Sequence, residues 1–179
     1  MTVLGLDIST RMTGATIFDA TGTMLYNEVW DTRNKKKFPD HFFKARFVQQ
    51  KILDIKSRFD VTSVFIEKPF MFFNSGGSTA KTMSSLQTFN GMVSWICSDV
   101  FGVDPEYFTA SAARKAAGVT IKRGENSKEK VFEFVVDNQP DFVVEYTSKG
   151  NLKPGVTDRS DSWVIARAGL KYCQNKNKS

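Results

Sequence analysis

Four acidic residues occupy positions where carboxylates could act together. Asp7 ends the first apolar run of the chain, Glu67 ends a later one, and Asp158 and Asp161 stand three residues apart where the last helical pattern begins. Residues at this spacing share one helix face. That face is predicted to pack on the protein body, because it continues through Ile165, Ala168 and Tyr172.

Carboxylates held close together repel one another, and a cation usually compensates for their charge. An all-oxygen set without histidine or cysteine favours Mg²⁺ or Mn²⁺. Each acid alone has a simpler interpretation: Asp158 suits the positive end of a helix dipole, and Glu67 could form a surface pair with Lys68. The four together favour two-metal hydrolysis of a phosphodiester, in which one cation activates water and the other stabilises the leaving oxygen.

The charge balance suits a polyanionic partner. The chain has 179 residues with 25 Lys+Arg and 19 Asp+Glu, a formal net charge of +6, although such an excess is also common on solvated surfaces. Lys153 and Arg159 lie near the acidic helix in sequence and are candidates to stabilise charge that develops on a scissile phosphate. The other candidate phosphate contacts are Lys35, Lys36, Lys37, Lys81, Arg114, Lys115, Lys122, Arg123, Lys128 and Lys130.

Three aromatic residues, Phe70, Phe72 and Phe73, follow Glu67 in a segment rich in phenylalanine and glycine. One interpretation is a wedge or stacking platform at an opened base pair, because stacking on an aromatic ring contributes roughly 1–3 kcal/mol per base. The alternative is that the rings cap the core or pack across a dimer. Phe70 is the strongest candidate for contact with DNA.

Other classes of protein are disfavoured by the composition. Cys97 and Cys173 are too few for a disulfide framework, and with His41 as the single histidine they offer no zinc-binding pattern. No apolar run reaches the roughly 18 residues of a membrane span, and the first residues lack the basic region of a secretory signal. We therefore expect a cytoplasmic protein, or one in the host-cell cytoplasm if its source is viral, with no membrane partner.

The helices and strands that must position these residues are predicted to form one α/β domain over 1–179. Helix 39–59 is predicted to bury the face that runs from Phe42 to Phe59, and helix 78–100 carries Met92 and Trp95 outside its apolar stripe. Such a second apolar surface suggests a partner protomer. The predicted strands are 3–7, 13–19, 23–30, 61–67 and 105–109, and the other predicted helices are 111–118, 126–136 and 157–172.

Four short motifs occur in order along the chain: Leu4-Gly5-Leu6-Asp7-Ile8-Ser9-Thr10, Thr13-Gly14, Ile66-Glu67 and Asp158-x-x-Asp161. In these motifs the chain resembles the RuvC-type Holliday junction resolvases. The resemblance extends over nearly the whole chain, and the helix from Ser78, with Leu86-Gln87 and Gly91, is similar to the family's core and dimer helix. Ser162 departs from the alanine usual in the family, the segment after Glu67 is unusually aromatic, and 145–155 is longer than expected.

The resemblance implies an RNase H-like fold: a five-stranded mixed sheet, with the first three strands antiparallel, flanked by helices. The family's four acidic metal ligands fall on Asp7, Glu67, Asp158 and Asp161. It also implies a homodimer that binds branched DNA and resolves four-way junctions with Mg²⁺, for which Mn²⁺ would substitute, leaving a 5′-phosphate and a 3′-hydroxyl.

Other interpretations of the same residues remain open. The segment from Gly5 to Gly14 also resembles the first phosphate loop of the actin, sugar-kinase and Hsp70 superfamily, but 179 residues do not supply the two lobes that such proteins need. A different RNase H-like nuclease, acting on RNA–DNA hybrids or on branched or flap DNA, would use the same four acids. A catalytically inactive module that binds branched DNA is the alternative outside the enzymes.

Overall fold

The computed structural model describes residues 1–69 and 80–176, and within them the predicted elements occur in the predicted order. The interpretation of 1–179 as a single domain stays a prediction. The strands are β1 (Thr2–Asp7), β2 (Met12–Asp19), β3 (Met24–Asp31), β4 (Ser63–Glu67) and β5 (Glu106–Phe108); the helices are α1 (His41–Arg58), α2 (Ala80–Phe101), α3 (Ala110–Ala117), α4 (Ser127–Asn138) and α5 (Val156–Lys176).

The strands form one mixed sheet in the order β3-β2-β1-β4-β5. β1, β2 and β3 make an antiparallel meander, and β4 and β5 continue the sheet in parallel with β1. The predicted fold class, a five-stranded mixed sheet with its first three strands antiparallel and flanked by helices, is confirmed. Among the described residues, no helix is long and apolar enough to cross a membrane.

The central strands are covered on both faces, which explains their nearly continuous apolar sequences. Because successive side chains alternate between the faces of a strand, Leu4 and Ile66 point into a core shared with α1 and α2. Val3 and Phe65 point into a second core, on the side of α3, α4 and α5. The sheet therefore separates two helical layers.

α5 lies unusually close to the sheet, and three glycines make this possible. A Cβ on Gly5 would stand 2.3 Å from the backbone nitrogen of Ala166, and one on Gly14 would stand 2.0 Å from the carbonyl oxygen of Asp158. Gly169 of α5 leaves the matching space for the ring of Phe65. The glycines of the two strands thus set the height of α5 above the sheet.

The start of α1 differs from its prediction. The helix begins at His41, and the Asp40 side chain caps it by accepting hydrogen bonds from the amides of Phe42 and Phe43. Placing Phe42 in the core was wrong, because its side chain is 64% exposed. It lines a groove between α1 and α2, where the first turn of α1 extends beyond the packed core. The buried face of α1 comprises Ala45, Val48, Ile52 and Ile55.

Candidate active site

The sheet brings two of the predicted acids side by side. Asp7 is the last residue of β1 and Glu67 the last of β4. These strands are parallel neighbours with Leu6 opposite Ile66, so both carboxylates emerge at the same edge of the sheet. Sequence position alone could not establish this, because the pairing joins residues 60 positions apart.

The first turns of α5 supply the other two acids. Asp158 and Asp161, Asp7 and Glu67 line one cavity of about 360 Å³ and are all partly buried. Arg114 of α3 and Lys128 of α4 add positive charge to the same wall, and the remaining lining residues are Ile8, Ser9, Lys68, Pro69, Leu86 and Ala110. Four carboxylates and three cations, Lys68 among them, therefore line one cavity.

Gly14 determines how closely Asp158 approaches the sheet. It pairs with Asp7 across β1 and β2, and its missing side chain admits the Asp158 carbonyl against the strand. A single position thus connects the strand that carries one acid to the helix that carries two others.

We expect Gly14→Ala to displace the first turn of α5, because its Cβ would meet backbone atoms rather than a flexible side chain. Overpacking of this kind costs about 1–3 kcal/mol, so thermal melting of the variant should begin earlier, and any activity that depends on the four acids should fall further than the stability loss explains. Gly91→Ala is the matched control for melting, because a Cβ there has no neighbour within 4 Å; since Gly91 lines the groove between α1 and α2, the activity of Gly14→Ala is compared with wild type. Equal melting temperatures for the two variants, together with wild-type activity for Gly14→Ala, would contradict this account of Gly14.

Burial disfavours the charged state of all four acids, and repulsion from another acid of the group adds to it at Asp7, Glu67 and Asp161. Burial, and then the charges of Asp161, Glu67 and Asp158, raise the pKa of Asp7 well above its usual value. Burial and the charge of Asp161 raise the pKa of Glu67 to about 7, and burial raises the pKa of Asp161 to about 6. Burial likewise raises the pKa of Asp158. Lys128 opposes the rise at every one of the four.

This donor set fits a hard divalent cation. All four ligating groups are carboxylates, the type that Mg²⁺ and Mn²⁺ prefer, and a cation would relieve the repulsion that raises their pKa values. Within 1–69 and 80–176, no three acidic, thiol or imidazole side chains stand close enough together to hold one ion in their present orientations. The fold thus brings the acids to one cavity without arranging them as a finished coordination shell.

The pKa of Glu67 predicts how stability depends on pH in metal-free buffer. Its pKa lies near 7 in the folded protein against an ordinary 4.5, so between these values the folded state binds more protons than the unfolded state and stability falls as pH rises. Glu67→Gln removes this loss. The variant should melt a few degrees higher than wild type above pH 7, and the difference should shrink towards pH 4.5.

Thermal melting across this pH range checks the Glu67 prediction, with Glu106→Gln as the control at an exposed glutamate. A melting difference between Glu67→Gln and wild type that does not depend on pH would contradict it.

The predicted phosphate contacts separate into two groups. Arg114 and Lys128 line the acidic cavity. The others lie outside its lining, so their contact with DNA stays a prediction; they are Lys35, Lys36, Lys37, Lys81, Lys115, Lys122 and Arg123, which are exposed, and Lys130, which is half-buried. Phe70, Phe72 and Phe73 lie outside the described residues.

Arg159 and Lys153 do not line the acidic cavity. Arg159 is 8% exposed, and its Nε donates a hydrogen bond of 2.7 Å to Oδ1 of Asn27 on β3. Its guanidinium packs over the Phe142 ring, 5.0 Å from the centroid. Lys153 is exposed and pairs with Glu145 at 3.0 Å. These contacts favour structural roles over contact with a scissile phosphate. Arg159 points away from the cavity because one residue along a helix turns the side chain through about 100°, and Lys153, in the segment before α5, is held by Glu145.

Ser162 is accommodated by a buried polar network. Its hydroxyl donates to the carbonyl of Arg159 at 2.9 Å, and the Thr16 hydroxyl lies 2.8 Å away. Since the single Ser162 proton is thus used, Thr16 is the donor between them, and Nδ2 of Asn27 donates in turn to Thr16. The Ser162 hydroxyl is therefore satisfied by the Arg159 carbonyl and by Thr16 of the facing strand.

The comparisons with known proteins agree with this architecture. No protein-family model matches the chain, and no curated protein matches it. Among solved structures, Thermus thermophilus RuvC in complex with a Holliday junction substrate superimposes with a TM-score of 0.69 at 16% identity, covering 98% of this chain and 96% of that one. The fold is that of the RuvC resolvases.

Two further structures support the same conclusion about fold. Another Thermus thermophilus RuvC structure gives a TM-score of 0.68 at 18% identity, covering 98% of this chain and 97% of that one. The yeast mitochondrial Holliday junction resolvase gives a TM-score of 0.63 at 15% identity, and the superposition covers 98% of this chain and 80% of that one. The resemblance predicted from the acidic motifs is thereby confirmed as a likeness of the folded chain.

Proposed function

We propose that this protein is a divalent-metal-dependent endonuclease that resolves four-way DNA junctions. The observation that carries the proposal is the convergence of Asp7, Glu67, Asp158 and Asp161 on one cavity, within a fold that matches RuvC bound to a junction over 98% of this chain. The excess of Lys and Arg supports a polyanionic substrate.

The side chains divide the chemistry between them. The four carboxylates would hold Mg²⁺ or Mn²⁺, which when bound supplies an activated water and stabilises the leaving oxygen. Lys128, which opposes the charge of all four acids, is placed to bind a non-bridging phosphate oxygen beside them. Arg114 lies on the same wall, where its positive charge opposes the rise in the pKa of Glu67 and of Asp161. It would orient the phosphate.

A substrate panel tests the proposal against its alternatives. The purified protein is incubated with a four-way junction, a flap, an RNA–DNA hybrid and a linear duplex of shared sequence, with Mg²⁺ or with a chelator. We expect metal-dependent cleavage of the junction in preference to the others. Preferential cleavage of the hybrid or the flap would favour another RNase H-like nuclease, and junction binding without cleavage would favour an inactive binding module.

A homodimer is part of the proposal, because a symmetric junction requires two cuts and a twofold dimer presents two sites. α1 and α2 leave an apolar groove of about 420 Å³, beside which Trp95 is 64% exposed. The groove also includes Phe42 and Met92. A second copy of the chain would cover these side chains.

We expect Trp95→Glu to convert a dimer into a monomer at micromolar concentration, because it places a charge in a buried apolar interface. Light scattering measures the mass, and the junction assay should then show single nicks instead of paired cuts. Val143→Glu is the control, since Val143 is 61% exposed outside this groove. A wild-type chain that is already monomeric under these conditions would contradict the proposed interface.

A further inference from the structure

A second polar cavity lies beside the loop that leaves Asp7. Its volume is about 650 Å³, and it forms between the β1–β2 loop and the segment that connects β3 to α1. Three cations and one carboxylate line it; the lining residues are Arg11, Asp31, Arg33, Asn34, Lys37 and Phe38. We call it the arginine pocket.

The loop that carries Arg11 is fixed by hydrogen bonds on both sides. Within the loop, the Ser9 hydroxyl accepts from the amides of Arg11 and Met12 at 3.2 and 3.0 Å. From the neighbouring segments, the Thr32 amide donates to the Arg11 carbonyl at 2.9 Å, and the Lys44 ammonium donates to the Thr10 carbonyl. The backbone at the pocket is therefore held in place before any ligand arrives.

Opposite charge balances only part of the pocket. Asp31 binds Arg33 through both carboxylate oxygens, at 3.0 Å to Nε and 2.7 Å to Nη2, which fixes the orientation of that guanidinium. Burial and the nearby charges of Arg11 and Lys35 lower the pKa of the Lys44 ammonium. Arg11 thus lies near cations both in the pocket lining and just outside it, and an anion between them would relieve their repulsion.

The arginine pocket adjoins the acidic cavity. Arg11 follows Asp7 by four residues. The charge of Asp158 helps to raise the pKa of Arg33, and the charge of Arg33 opposes the rise in the pKa of Asp158. Arg114 and Lys128 belong to the acidic cavity itself. The acids therefore have cations in their own wall and a second group of cations in the neighbouring pocket.

We propose that the arginine pocket binds a backbone phosphate of the nucleic-acid strand that is cut at the acids, which makes it a positioning subsite. The inference rests on the proposed function. Guanidinium groups recognise phosphate through paired N–H donors, and contacts of this kind fix the register of a strand without reading its bases. The ligand is a phosphodiester of DNA, not a free phosphate.

The test measures how binding of a four-way junction depends on salt. Removing one cation that neutralises a DNA phosphate flattens the slope of log K against log salt by about 0.9. In buffer with a chelator, Arg11→Gln/Lys37→Gln should flatten the slope by about that amount or more and leave the Asp31–Arg33 pair intact.

The matched control is Arg58→Gln/Lys176→Gln, which removes the same charges elsewhere. Arg58 lies 14 residues along α1 from Lys44, and Lys176 lies 18 residues along α5 from Asp158; at 1.5 Å per residue these separations are about 21 and 27 Å. If Arg11→Gln/Lys37→Gln melts early, Arg11→Lys/Lys37→Arg keeps both charges and should keep the wild-type slope.

Different results separate the possible failures. A test variant with the same slope as the control, while wild type binds the junction, overturns the arginine pocket alone. If inorganic phosphate stabilises wild type but not the test variant, and the DNA slope is unchanged, the pocket takes a free phosphate and the inference is likewise overturned. Wild type that binds no branched DNA at all overturns the proposed function together with the inference.

Discussion

Asp7→Asn is expected to abolish cleavage of a four-way junction while junction binding is retained. Asp7 is coupled to the whole acidic group, since the charges of Asp161, Glu67 and Asp158 each help to raise its pKa. A bound metal contributes several kcal/mol to stabilising the transition state, so removing it should slow cleavage at least about 10³-fold. Binding should persist, because the substitution removes a negative charge beside a polyanion.

Single-turnover cleavage and junction binding in a chelator check this prediction. Asp60→Asn is the control, an exposed aspartate on the segment between α1 and β4. A second readout is melting in metal-free buffer, where Asp7→Asn should be more stable than wild type because its buried charge is gone. Cleavage by Asp7→Asn near the wild-type rate would show that Asp7 is not a metal ligand.

The next largest effect is expected for Lys128→Gln. Lys128 opposes the charge of all four acids, and removing a single group that stabilises charge in the transition state typically costs about 10²–10³ in rate. We expect a loss of about 10²-fold in the cleavage step, with a smaller change in junction affinity. Lys128→Arg should recover part of the rate, because it restores the positive charge.

Lys130→Gln is the matched control for this prediction. Lys130 lies two residues further along α4 and pairs with Glu133 at 2.7 Å. If Lys128→Gln cleaves as fast as Lys130→Gln, the proposed role of Lys128 in catalysis is wrong. If both variants lose affinity but cleave bound junction normally, Lys128 contacts DNA without stabilising the reaction.

The elements and the acidic positions could be predicted because their signals are local. A carboxylate directly after an apolar run indicates the end of a strand, as at Glu67. The spacing of Asp158 and Asp161, three residues apart, places them on one face of a helix. The sequence did not establish that the four acids lie close together in the folded chain. This proximity depends on the pairing of β1 with β4 and on the close approach that Gly14 permits.

Predictions from proximity along the chain were less successful. Arg159 adjoins Asp158, yet helix rotation turns it towards Asn27 and Phe142. Phe42 fits the spacing of a buried helix face, yet it lies beyond the core at the edge of a groove. In both cases the outcome depends on which element covers that turn of the helix.

The arginine pocket shows a related limit. Arg11, Arg33 and Lys37 come from two different connections, and a run of lysines suggested only general attraction to phosphate. Their common cavity exists because the β1–β2 loop is held against the end of β3 through Thr32. The sequence carries no periodic signal for such a contact between loops.

The most direct test of the proposed function is to map the cuts in a symmetric four-way junction and then treat the products with DNA ligase. The proposed function predicts two symmetrically placed nicks that form with Mg²⁺, do not form with a chelator, and are sealed by the ligase because they carry a 5′-phosphate and a 3′-hydroxyl. An intact junction after incubation with Mg²⁺, cuts that persist in the chelator, or ends that the ligase cannot join would contradict it.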